Sequence, residues 1–373
     1  MSTTVERIAL TNAAKLASST ADPKAPQELL AHALLRFTAA GLVVAATDAT
    51  TSVMSEIPVH EIGSPVGSVC VDARRFSAAV ASLPGDKVSV AFDDKLKVTL
   101  KSGKATVALE GRMGADFPTL PTVPPGAEVP AGLFSAAIDR AAYVRGLDEL
   151  RFPGPYLSVK DGRCTIASVT SHRFAVSEFA APNLKDQETI VVPAAGVAHV
   201  ASALEGQETA RVAVAVGRLS VTAGNVSVSV KLASQKPAPW QNIIDHYFAA
   251  SKRHKVRLFR EELLSAARRA GMMSGNSEKL ANGITLVLDG SELTVASSLD
   301  GFGEASTAIS LEAKTRSETV LLSWRYLVDA LGVIDSEQVE FDYGGALDPV
   351  LLKSPGSPEI HLIMVQAQSK RAS

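Results

Sequence analysis

Two kinds of hydrophobic spacing alternate along this chain, and they return in the same order. Leu10-Thr11-Asn12-Ala13-Ala14-Lys15-Leu16-Ala17 is an Ala-rich run of high helix propensity, stopped by Asp22-Pro23. Short apolar runs at Leu34 to Phe37 and Leu42 to Ala46 read as strands, and Val69-Cys70-Val71 leads into a second helix that Asp72 is placed to cap. Lys95 to Lys101 and Ala105 to Leu109 then alternate polar and apolar with period two across Ser102-Gly103. That pattern predicts a half-buried hairpin.

The same sequence of elements begins again with a helix at Leu133 to Val144. It continues through strands to a helix entered at Val191 to Val197, where Pro193 suits the first turn, and ends in the alternating pair Arg211 to Val216 and Arg218 to Thr222. A third copy opens with the helix Leu258 to Arg269, and its second helix starts at Leu321 to Leu327 with Ser323 as cap. Val71, Val192 and Leu322, which each precede a second helix, stand 121 and 130 residues apart. Order of elements rather than identity carries the repeat, so three copies of one α+β unit are expected, at 1–125, 126–250 and 251–373. Near the middle, Ile166 to Val176 reads as an extended run broken by the polar tetrad Thr170-Ser171-His172-Arg173. A polar break at a strand end near the surface is a candidate site.

Composition narrows the function classes. At 373 residues the chain exceeds one ordinary core, and 46% hydrophobic residues suffice to pack several. No apolar run approaches the roughly 18 to 20 residues that span a bilayer, and no basic-then-apolar leader opens the chain; no membrane and a cytoplasmic location are expected. Cys70 and Cys164 are far apart and lack ligand spacing, so neither a disulfide scaffold nor a metal is expected. Net charge is -2, with 12 basic and 12 acidic residues in 1–125 and 11 of each in 126–250. This balance argues against gripping nucleic acid across an open face, but not against a ring whose inner lining alone is positive.

An enzyme would need a constellation, and the sequence holds no HExxH, no Gly-x-Ser-x-Gly and no phosphate loop before a helix. Gly301-Phe302-Gly303 lacks strand-to-helix context, and a lone His199 on an Ala-rich helix is a weak base candidate. Neither catalysis nor a cofactor is expected. A binding protein remains.

Several segments carry a resemblance that extends over nearly the whole chain. Asp116-Phe117-Pro118-Thr119-Leu120-Pro121, Thr47-Asp48 after an apolar strand, Asp148-Glu149-Leu150-Arg151 and the His172-Arg173 pair resemble, in order and separation, the bacterial sliding clamp family, the β subunit of DNA polymerase III. The resemblance implies three similar clamp domains per chain, each with two helices and antiparallel sheets, and two chains closing a ring around duplex DNA. It implies a processivity factor that tethers polymerase III and other polymerases, the clamp loader and repair proteins through short linear motifs. The contrasting class is a repeat-domain scaffold that binds proteins but not DNA.

The resemblance also places residues. DNA-facing positions are implied at Lys24, Arg74, Arg75, Arg140, Arg145, Arg268, Arg269 and Arg325. A peptide pocket is implied at Phe152, Val169, Ser171, His172, Arg173, Phe174 and Ile243, with Leu362, Met364, Val365 and Gln366 from the chain end. A homodimer contact is implied between Val107 and Leu109 on one chain and Met272 and Met273 on the other. Two departures stand out: Leu362 to Gln368 keeps the first Met of the family's Met-Pro-Met-Arg-Leu ending and loses the rest, and Ala238-Pro239-Trp240 replaces Pro-Asp-Tyr. Both border the implied pocket, so weaker binding of a generic clamp-binding peptide is expected.

Overall fold

The computed structural model describes residues 2–59, 61–62, 67–144, 152–242, 245, 253–274, 283–299, 301–345, 348–357 and 359–363; for Glu61, Ile62, Ala313 and Leu362 it describes the main chain alone. The chain forms two compact units. Residues 1–135 with 192–233 make the first, and 136–191 with 234–373 the second, so the segment expected as the middle copy contributes to both.

In the first unit a nine-stranded antiparallel sheet runs in the order Gly111–Met113, Gly67–Asp72, His32–Phe37, Gly41–Thr47, Thr51–Pro58, Val226–Lys231, Arg218–Ala223, Thr209–Ala215, Ala127–Pro130. Thr51–Pro58 comes from the first copy and Val226–Lys231 from the second, and they pair with Val228 opposite Val53. A second sheet orders Glu61–Ile62, Ser2–Glu6, Lys87–Phe92, Val98–Ser102 and Ala105–Leu109. The helices Arg7–Thr20 and Ala73–Ser82 bury Leu10, Ala13, Ala14, Phe76 and Val80, one apolar stripe each. Helix Ala194–Leu204 lies tight on the sheet because Gly196 has no Cβ; one there would collide with Val230.

The second unit repeats the plan. Its eight-stranded sheet runs Gln187–Val191, Tyr156–Lys160, Arg163–Val169, Arg173–Ala180, Ile360–Ile363, Val350–Lys353, Gln338–Tyr343, His254–Phe259. Here the second copy's hairpin meets the third copy's last strand, with Phe174 opposite Leu362. A long hairpin, Gly283–Leu299 with Gly303–Ser323, stands beside helices Arg260–Met272 and Trp324–Val333. Its Gly301-Phe302 turn joins two strands, not a strand and a helix, and so is no nucleotide loop. One core of Leu263, Leu286, Leu322, Leu327, Phe341 and Tyr343 joins these parts.

Local expectations met the structure unevenly. Asp72 caps its helix, its carboxylate accepting from the Arg75 N–H at 2.8 Å. Ser323 occupies the N-cap position but makes no side-chain cap bond. The strand expected from Lys95 starts only at Val98, because the Asp93 carboxylate captures the N–H groups of Lys95 and Lys97, both at 2.9 Å, and Leu96 turns to a φ of 61°. An Asx-type turn outcompetes the ladder there.

Val216, at the tip of the Thr209–Ala215 and Arg218–Ala223 hairpin, has a φ of 50° and is 99% exposed. A β-branched residue in left-handed backbone is strained, and nothing packs on its side chain in return. Val216→Asn should therefore raise stability by about 1 kcal/mol. Urea unfolding would show this as a higher midpoint at unchanged slope; a lower midpoint would refute the strain.

Candidate functional site

The polar tetrad singled out in the sequence closes the hairpin Arg163–Val169 and Arg173–Ala180, with Val169 opposite Phe174. Thr170 shapes it. Its N–H donates to the Arg173 carbonyl at 2.8 Å, and its Oγ1 accepts from the N–H groups of His172 and Arg173 at 3.3 and 3.2 Å. Ser171 and His172 are left exposed at the tip, while Val169, Arg173 and Phe174 are buried.

Burial gives Arg173 a different part from that of an open polar contact. Its Nη1 donates to Asp329 Oδ2 at 2.7 Å, and its guanidinium lies over the Tyr326 ring at 4.3 Å and near the Tyr143 ring at 5.9 Å. Asp329 and Tyr326 sit three residues apart on helix Trp324–Val333, hence on one face. Arg173 thereby ties the loop to that helix. The His172 ring centroid lies 6.4 Å from that of Tyr326.

Phe174 points into an aromatic pair with Trp240, their centroids 5.7 Å apart, and Phe174 is only 2% exposed. It forms the floor under the site rather than its open wall. The Tyr156 hydroxyl accepts from the Ala238 N–H at 3.2 Å, fixing the connector that carries Trp240. Phe152 is half-buried. The Leu362 main chain pairs with Phe174; its side chain, with Ile243, Met364, Val365 and Gln366, lies outside the described residues.

Behind the floor runs a buried polar cluster that sequence reasoning did not find. Burial raises the Tyr143 phenol, so its hydroxyl stays protonated, and it shares a hydrogen bond of 3.1 Å with His361 Nδ1. His361 is fully buried, and burial together with the Arg140 charge lowers its pKa to about 3. Arg140 is held by Asp335 at 2.6 Å and by the buried Glu359 at 3.2 Å. These residues lie far apart in sequence, on a helix, a loop and the closing strand. Tyr326 and Asp329, by contrast, carried a legible signal in their helical spacing.

The implied DNA-facing residues separate by environment. Lys24, Arg74, Arg75, Arg268, Arg269 and Arg325 are exposed. Lys24 stands in a turn held by Asp22, whose carboxylate accepts its N–H at 2.9 Å, and Arg325 packs 5.6 Å from its neighbour Trp324. Arg269 reaches Thr307 Oγ1 at 3.3 Å. Arg140 is the exception, because its two carboxylate partners already occupy it; Arg145 lies outside the described residues. Val107 and Leu109 are half-buried on Ala105–Leu109, an edge strand of its sheet. Met272 is 70% exposed at a helix end, with half-buried Met273 next to it and Phe302, 81% exposed, on the hairpin turn.

Three copies of one α+β unit, joined by strands that pair across copies, with the candidate site where a hairpin meets a closing strand, define a clamp-type repeat fold. Comparison with known proteins gives the particular family. Residues 1–121, 128–236 and 248–368 match, in turn, the N-terminal, central and C-terminal domains of the DNA polymerase III beta subunit. The chain belongs to the DNA polymerase III beta subunit family. It is 23% identical over 369 residues to the beta sliding clamp of Pseudomonas putida, covering 97% of this chain and 98% of that one. To the beta sliding clamp of Bacillus subtilis it is 22% identical, covering 86% and 87%. Among solved structures, the beta subunit of Thermotoga maritima superposes with a TM-score of 0.89 at 16% identity, and the Pseudomonas aeruginosa sliding clamp with 0.88 at 21%; each covers 99% of this chain and 100% of the other.

Arg173→Ala should cost about 2 kcal/mol of stability and Asp329→Ala about 1, since the first removes both an ion pair and a cation–π contact and the second only a pair open to solvent on one side. Chemical unfolding of the single and double variants would measure the coupling; zero coupling would sever loop from helix. Separately, the folded pKa of His361 lies below the unfolded value, so keeping it neutral contributes stability above about pH 6.5 that is lost as pH falls toward about 3. His361→Gln should flatten that part of the stability profile. An unchanged profile would assign the acid sensitivity elsewhere.

Proposed function

We propose that this chain is a DNA sliding clamp: two copies close head to tail into a ring around duplex DNA and tether a polymerase to its template. The match of all three family domains across the chain carries this reading. Sliding clamps are processivity factors rather than enzymes, which supports reading the site around the tetrad as one for holding a partner.

The ring takes its six units from three domains per chain, at 1–125, 126–250 and 251–373. Among the described residues Ala105–Leu109 is an edge strand, carrying Val107 and Leu109, and Met272 and Met273 offer apolar side chains for it to cover. Burying each of these fully would contribute about 1.5 to 3 kcal/mol. A heterologous contact of this kind makes a ring when its rotation closes. Lys24, Arg74, Arg75, Arg268, Arg269 and Arg325 are the exposed cations available to phosphates, with Arg140 retained by its carboxylates. Such contacts carry no sequence information, so the clamp slides, and topology rather than affinity retains it.

Short linear motifs of polymerases, the clamp loader and repair proteins dock at Ser171, His172, Phe152 and the chain end, with Val169, Arg173, Phe174 and Trp240 as the supporting layer. An apolar wall with few polar groups suits an anchored aliphatic or aromatic side chain of an extended peptide. Among the described residues no helix is long and apolar enough to cross a membrane, and we place the ring in the cytoplasm with the chromosome.

Loading onto closed circular duplex tests the reading. The protein should stay on the circle through gel filtration and leave when the circle is cut once. Met272→Asp should lower that retention and move the protein toward monomer by light scattering. Equal loss from cut and uncut circles would favour the scaffold that binds proteins and not DNA.

A further inference from the structure

The docking site lies where a hairpin of one copy meets the closing strand of the next and a connector passes over both. The same three parts meet once more, in the first unit. There Gly41–Thr47 and Thr51–Pro58 form the hairpin, Val226–Lys231 closes it, and Phe117 and Leu120 of the connector pack onto Leu34, Ala45, Cys70 and Met54. The registers correspond: Phe174 opposite Leu362 has its counterpart in Ser52 opposite Ser229, and Val176 opposite Ile360 in Met54 opposite Ser227. Directly over Ser52 the site is closed, since Leu120 and Pro121 leave a cavity of only about 20 Å³.

Beside that plug the surface opens. A groove of about 660 Å³ runs between connector and sheet, and a second of about 570 Å³ continues it; both are lined by Arg36, Met54 and Glu56. Arg36 stands opposite Val43, and Val43 opposite Glu56, so the three side chains share one face in one row across three strands. Their Cα atoms therefore stand about 10 Å apart, two strand spacings, with the Val43 side chain between them. No ion pair joins them, and Arg36 Nε is shut off from solvent with no partner among the described residues. The connector 118–123 makes no main-chain hydrogen bond among the described residues, and Pro118 and Pro121 keep it out of any ladder.

We propose that this groove is a second docking surface, for an extended peptide segment of a partner protein that carries an acidic residue for Arg36, a basic residue for Glu56 and an aliphatic residue between them. Main-chain groups of the connector satisfy the peptide backbone, and the Leu34, Met54 and Phe117 floor takes the aliphatic side chain. Nucleic acid and small anions fit worse, because Glu56 opposes the charge that Arg36 attracts. Opposite charges at fixed separation select a peptide instead.

The probe is a panel of fluorescein-labelled octapeptides with Asp and Lys two, three or four residues apart in either order, Leu and Val between them, and Asn and Gln in place of the charges as controls. Fluorescence polarisation on the full chain should find at least one charged member that binds saturably, with its neutral control at least tenfold weaker. Arg36→Gln should weaken that member at least tenfold and Glu56→Gln at least threefold. Thr119→Trp, at an exposed position on the groove wall, should block it. Retention on circular DNA should be the same in Arg36→Gln as in wild type, which separates this surface from the ring. Saturable binding by no member, or affinity unchanged in both Arg36→Gln and Thr119→Trp, would overturn the proposal. So would loss of the bound peptide in His172→Ala but not in Arg36→Gln, since that places it in the other pocket.

Discussion

Everything in this molecule hangs on two strand pairings that cross from one copy to the next. Thr51–Pro58 takes Val226–Lys231 as its neighbour, and Arg173–Ala180 takes Ile360–Ile363. A hairpin left at a sheet edge exposes a row of N–H and C=O groups and invites pairing with any other chain. Supplying the neighbour from the next copy satisfies those groups within the chain and turns three weakly similar units into continuous sheets of nine and eight strands. It also explains why the middle copy is divided between the two compact units: its early hairpin belongs to one sheet and its late strands to the other.

The candidate sites sit at these crossings for the same reason. Where two copies share a sheet, a connector must pass over the junction, and loop, strand end and connector converge on one spot. At the second crossing the connector brings Trp240 onto Phe174, and the loop Thr170 to Arg173 is locked from below by Asp329 and Tyr326. At the first crossing Leu120 and Pro121 fill the equivalent position, where Ser52 and Ser229 are too small to do so. One architecture thus carries different side chains at its two crossings.

Charge divides by environment in the same way. Arg140 and Arg173 are both arginines near loops or helix ends, yet each is bound to carboxylates from the third copy, Asp335 and Glu359 for the one and Asp329 for the other. Fixed ion pairs of this kind position elements; they leave little for a phosphate. Arg74, Arg75 and Arg268 face solvent instead. A near-zero net charge therefore hides two populations of cations with different work.

The repeat, the class of most elements and the family were all legible in the linear chain. Helical and alternating periodicity are local, set by which face of a helix or strand must be buried, and the clamp segments such as Asp116 to Pro121 are read directly from their residues. The Thr170 to Arg173 break was legible too, because a polar interruption of an apolar run marks where the chain leaves the core and turns at the surface. What those residues do was not. That Phe174 is floor and Arg173 a buried tie rather than open pocket wall depends on Trp240, Tyr326 and Asp329, which lie 66 to 156 residues away. The same holds for Arg140, whose partner Asp335 is 195 residues distant, and for the His361 cluster. Periodicity reports which side of an element is buried, not which distant charge or ring it is buried against, and that identity is settled only when sheets from different copies are joined.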